Sequence, residues 1–75
     1  MRVFRERELP EQDGLQRTAR KEQIEAGKYP PPAKANEGGR AKIWFADEVH
    51  AWQRWRRACR DGTAPEGSTW RDYLA

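Results

Sequence analysis

The sequence predicts a small α+β fold, and three observations lead to it. Apolar residues recur at helical spacing between Ala46 and Arg60. Two short alternating runs flank a Gly-Gly loop between Pro32 and Phe45. Earlier in the chain, two short helical segments meet at Gly14. Helix, tight turn, helix, hairpin and long helix, in that order, make a small winged helix-turn-helix.

The first helix is expected over about Glu6 to Asp13, with Leu9 buried and Pro10 tolerated in or near the first turn. Gly14 then turns the chain into Leu15. The second helix is expected from Arg17 or Thr18 to Ala26, with Thr18 able to cap it and Gly27 to end it. Its apolar content is thin (Leu15 just before it, then Ala19, Ile24 and Ala26), so Arg17, Arg20 and Lys21 are expected on its outer face. Pro30-Pro31-Pro32 stops any helix after Tyr29.

Ala33-Lys34-Ala35 and Ala41-Lys42-Ile43-Trp44 flank Asn36-Glu37-Gly38-Gly39-Arg40, which is a hairpin pattern. A hairpin that follows a helix-turn-helix and carries bases at its tip is a wing. The long helix comes next. Phe45, Val49, Trp52 and Cys59, with Trp55 beside them, form its stripe. Asp47 and Glu48 lie in the first turn and Arg56, Arg57 and Arg60 near the last, both favourable to the helix dipole. Gly62 is a natural stop. These elements define a winged helix-turn-helix domain over residues 1–60. Residues 61–75 then read as a polar linker and a short amphipathic helix capped by Ser68. Trp70, Tyr73 and Leu74 share one face of that helix, which either docks on the protein's own core or serves a partner.

Charged residues make 36% of the 75-residue chain, against about 25% in an average soluble domain. The net charge is only +3, but it is unevenly placed. Residues 16–42 carry Arg17, Arg20, Lys21, Lys28, Lys34, Arg40 and Lys42 against Glu22, Glu25 and Glu37, net +4. Residues 1–14 are net −1 and residues 61–75 net −2. A mid-chain positive field attracts polyanions; the alternative is a solvated basic face. No apolar run approaches the roughly 20 residues of a membrane helix, and Met1 to Glu6 lacks the apolar region of a secretory signal. A cytoplasmic protein without membrane contact is expected.

The single cysteine, Cys59, has no internal disulfide partner, and His50 and Cys59 alone make no zinc framework. Cys59 is expected as a small buried apolar group and His50 on the surface. No catalytic constellation, metal site, cofactor or small-molecule substrate is expected. Trp44 and Trp52 are expected in the core, and Tyr29, extended because it precedes Pro30, can turn its ring back into it. Trp55 and Trp70, with Tyr73, are the candidates for contact with a partner protein.

Read in order, several stretches carry a resemblance: Gly27-Lys28-Tyr29-Pro30-Pro31-Pro32, Gly38-Gly39-Arg40, Trp44, Glu48-Val49 and Trp52. Over about residues 4–57 the chain resembles the phage excisionase and AlpA-like regulators, small winged-helix proteins related to the MerR DNA-binding head. It departs from them at Arg20 and Gln23, where the family has apolar side chains, and at Gln16, where it has Ser. The resemblance implies an accessory protein that binds double-stranded DNA beside copies of itself, bends it, and turns a tyrosine-type integrase toward excision. An AlpA-like promoter regulator is the alternative, and a protein-interaction module using the aromatic tail is another.

On this reading the second helix enters the major groove with Gln16, Arg17, Thr18, Arg20 and Lys21. Thr18 either caps the helix or meets a phosphate. Lys28 meets phosphate at the helix end. Arg40 enters the minor groove, flanked on phosphates by Lys34 and Lys42.

Overall fold

The computed structural model describes residues 2–36 and 38–74. Glu37 in the expected wing loop and Ala75 in the expected terminal helix lie outside the described residues, as does Met1.

The chain opens on a strand that the pattern did not suggest, β1 (Val3–Arg5). A 3-10 turn over Glu6–Glu8 leads into α1 (Leu9–Asp13), so the expected first helix is split in two. Next come α2 (Arg17–Glu25), β2 (Ala33–Lys34), β3 (Lys42–Phe45) and α3 (Ala46–Asp61), followed by a second 3-10 turn over Trp70–Tyr73. Among the described residues this is an α+β fold of three α-helices and one antiparallel sheet in the order β1-β3-β2, a small winged helix-turn-helix.

Both hairpin strands lie where alternation placed them, and β1 completes the sheet by pairing Val3 with Phe45, Phe4 with Trp44 and Arg5 with Ile43. Only three residues long, β1 is too short for its period to be read before its partner is known.

One sheet face carries Phe4 and Trp44, each 1% exposed, and the helices cover it. The core gathers Leu9, Tyr29, Val49, Trp52, Trp55 and Trp70 around them. Tyr29 precedes Pro30 and is held extended, so its ring turns back into this core as expected. The Trp44 indole N–H donates to the Pro30 carbonyl at 3.1 Å, which ties the proline segment to β3.

Two helix ends close as the glycines predict. At the end of α2, Lys28 N–H reaches the Gln23 carbonyl and Gly27 N–H the Ile24 carbonyl, a Schellman arrangement with Gly27 at φ +77°. At the end of α3, Thr63 N–H bonds Ala58 O around Gly62, which also has positive φ.

The tail is where the sequence reading changes most. Trp55 and Trp70 are 6% and 2% exposed, inside the core, and Tyr73 packs against it. The Trp55 indole donates to Ser68 Oγ and an Arg54 guanidinium N–H to the Tyr73 carbonyl. Residues 61–74 are therefore no free interaction arm. Thr69, not Ser68, caps the last turn, accepting from Arg71 N–H while Asp72 accepts from Thr69 N–H. Cys59, expected inside, is exposed: the buried residues of α3 are Ala46, Val49, Ala51, Trp52 and Trp55, so the stripe ends at Trp55 and the last turn of the helix passes beyond the core. His50 is exposed, as expected, with its ring edge-on to Phe4.

Candidate nucleic-acid interface

Asp13 sits at the junction of α1 and α2 and organises it. Its Oδ1 accepts from Leu15 N–H at 2.8 Å, a short Asx-type turn that carries the chain across Gly14. Gly14 takes φ +68°, which glycine adopts without the penalty of a Cβ. The same carboxylate accepts from Arg20 Nε at 2.8 Å, from the second Arg20 amino group at 3.1 Å and from the Tyr29 hydroxyl at 2.7 Å. Arg20 also donates to the Leu15 carbonyl at 2.9 Å. The Arg20 and Asp13 side chains are 3% and 0% exposed.

Burial pushes the Asp13 carboxyl up. The Arg20 and Tyr29 hydrogen bonds, the Leu15 N–H and the Arg20 charge together hold it below the ordinary carboxylate range. Burial, then the hydrogen bond to Asp13 and its charge, push the Tyr29 phenol well above its usual value. The cluster is an ionised, satisfied knot that fixes the angle between α1, α2 and the chain leaving α2.

This knot corrects two expectations. Arg20 is not on the outer face of α2 and is not available to DNA: at 2% exposure it occupies the place where the resembled family has an apolar residue. An arginine can take an apolar site only with its charge paired and its donors satisfied, and Asp13 and Leu15 do both. Thr18 does not cap α2. Gln16, in an extended conformation, precedes the first helical residue, Arg17, and its side chain makes no capping bond.

The other expected side chains are exposed: Gln16, Arg17, Thr18 and Lys21 on α2, Lys28 after it, and Lys34, Arg40 and Lys42 on the wing. Three of them come together. A groove of about 260 Å³ runs between α2 and β3, with Arg17, Lys21 and Lys42 on its walls and Ile24 and Trp44 at its base. The pleat explains the meeting. Lys42 shares a sheet face with Trp44, which points to the core, so Lys42 extends that face past the edge of the core beside α2. Lys34 is the register partner of Lys42, which puts the two ammonium stems side by side.

Glu6 and Glu25 also line the groove. Glu6 stands 3.8 Å from Arg17, whose side chain is 83% exposed, a spacing worth little in water. Sequence reasoning missed Asp13 and Glu6, and the bond from the Tyr29 hydroxyl to Asp13. The visible signal for the first was an Asp-Gly pair before a helix, which marks an Asx turn.

Among the described residues, no helix is long and apolar enough to cross a membrane. No protein-family model matches the chain, and no curated protein or solved structure matches it.

Proposed function

We propose that the protein binds double-stranded DNA, with α2 in the major groove and the wing on the neighbouring backbone. The observation that carries this reading is the convergence of Arg17, Lys21 and Lys42 on one groove between helix and wing, with Lys34 paired beside Lys42. Phosphate contacts from these cations set affinity and register, and Gln16, Arg17, Thr18 and Lys21 are the side chains nearest the base edges. Glu22 and Glu25 are exposed on the C-terminal half of the same helix. They repel phosphates, so α2 approaches DNA with its N-terminal half. Lys28 and Arg40 supply the outer contacts, Lys28 on phosphate and Arg40 in the minor groove.

The resemblance of residues 4–57 to excisionases gives the role. The protein is an accessory factor in the bacterial or phage-infected cytoplasm that binds and bends attachment-site DNA beside copies of itself. There it directs a tyrosine-type integrase toward excision. A module this small buries only about 600–1,000 Å² on DNA and gains from neighbouring copies. Promoter binding, as in AlpA-like regulators, is the second reading, favoured by the same fold and the same resemblance.

One footprinting assay on the attachment region and on the DNA upstream of the gene separates the two. Protection of the attachment region at lower protein concentration supports excision, and the reverse supports regulation. Arg17→Ala with Lys42→Ala should abolish the mobility shift on either DNA, and an unchanged shift overturns DNA binding by this surface.

A further inference from the structure

The last two turns of α3 carry Arg56, Arg57 and Arg60, all exposed. None contributes to the helix–wing groove. They rim a second and larger groove of about 450 Å³, with Leu15 and Trp52 in its lining. This size falls within the roughly 300–1,000 Å³ typical of ligand clefts. The groove lies on another side of α2. Its α2 residue is Gln23, about 160° around the helix from Lys21. A duplex seated on Arg17 and Lys21 would meet a different face of α2.

The charge here is only partly compensated, by Asp61, which pairs with Arg60 at 2.9 Å and lies within the field of Arg57. Asp13 borders the groove, but its carboxylate is held by Arg20 and Tyr29. Arg57 has no hydrogen-bond or ion-pair partner among the described residues, and Arg56 has only the Trp55 ring, 5.6 Å away. Two guanidinium groups with free forks therefore face solvent beside apolar surface. The Trp52 indole N–H is buried and has no acceptor among the described residues.

We propose that this groove docks an acidic peptide segment of a partner protein, with carboxylates on Arg56 and Arg57 and an apolar side chain against Leu15 and Trp52. Two features favour a peptide over a second stretch of DNA backbone. Phosphodiesters offer acceptors only. Gln53 donates its amide N–H to the Gln12 carbonyl at 2.6 Å, which directs its own half-exposed oxygen to the groove as an acceptor for a peptide N–H. Half-buried Leu15 and the edge of Trp52, which is 5% exposed, offer a small apolar contact to an aliphatic or aromatic side chain, whereas a phosphate chain has none. Arginine forks suit carboxylates bidentately. The proposal stands apart from the DNA reading and uses none of its residues.

The test is an NMR titration of the intact protein, without DNA, using a synthetic peptide of glutamates and aspartates around a Phe-Leu pair at about 0.15 M salt. Saturable shifts of the Gln23 and Gln53 side-chain amides and the Trp52 indole N–H are expected. Arg56→Glu with Arg57→Glu, both at exposed positions, should weaken peptide binding about tenfold or more. Arg17→Ala with Lys42→Ala should leave it unchanged. The proposal is overturned if binding does not saturate, or if the shifts follow Lys21 and Lys42 instead. It is equally overturned if a short duplex shifts the Gln23 and Gln53 signals and displaces the peptide, which would make the groove a DNA-backbone site.

Discussion

Arg17 and Arg20 stand one helical turn apart on α2, yet one is almost fully in water and the other almost fully out of it. The difference rests on Asp13. Removing one partner of a buried ion pair leaves the other charge stranded and costs about 3–5 kcal/mol. Asp13→Ala should therefore lose a large share of the stability of a chain this size, about 4–11 kcal/mol in total. Urea denaturation followed by circular dichroism measures it, and a loss below about 1 kcal/mol would show that Arg20 finds water instead.

The pH dependence follows from the same residue. Its folded-state carboxyl lies below the ordinary 3.8. Its contribution is thus present above that value and is lost as pH falls through the lower folded-state value. The melting temperature should drop as pH falls below about 4, and Asp13→Asn should flatten that drop. Glu48 works the other way, since burial first and the Asp47 charge second push its carboxyl up, against the Arg71 charge. The difference between the wild type and Asp13→Asn isolates Asp13.

At the scale of elements, the join between α1 and α2 is a one-residue left-handed step. A Cβ at Gly14 would meet nothing within 4 Å, so the cost of Gly14→Ala is backbone strain alone, about 1–2 kcal/mol. A thermal melt unchanged by this substitution would mean that the turn had relaxed into another form. The final 3-10 turn belongs to the core through Trp70. Trp70→Ala should cost about 3–5 kcal/mol, and a chain cut after residue 60 should fail to give a cooperative melt because Trp55 loses its cover. Retained cooperativity in the cut chain would show that residues 1–60 fold alone.

Over the whole molecule, net +3 resolves into two cationic surfaces on different sides of α2, the helix–wing groove and the arginine-rimmed groove of α3. With Arg20 withdrawn into the core, the first surface keeps Arg17, Lys21, Lys28, Lys34, Arg40 and Lys42. If it neutralises roughly four to six phosphates, the logarithm of the DNA-binding constant should fall with that of salt at a slope of about −4 to −5. A slope near −1 in filter-binding assays would mean that the wing does not touch the backbone. Arg56→Glu with Arg57→Glu should leave this slope unaltered.

The sequence by itself determined the order of elements, because each boundary is a local matter. Gly14, Gly27 and Gly62 end helices through their own backbone freedom, the three prolines bar a helix, and a period of two marks Ile43 and Trp44 as strand. It also placed Trp44 and Trp52 inside, because each offers a large apolar area to a core with few aliphatics, and Tyr29, because the proline after it holds it extended. Tertiary structure alone decided what depends on residues far apart. β1 exists only because β3 offers its edge. Arg20 goes inside only because Asp13, seven residues away, brings it a carboxylate, which the hydroxyl of Tyr29, sixteen residues from Asp13, also binds. Trp70 is buried only because α3 presents a bare aromatic face across the turn at Gly62. A charge is costly to bury and a tryptophan costly to expose, so their fates turn on neighbours that local spacing does not reveal.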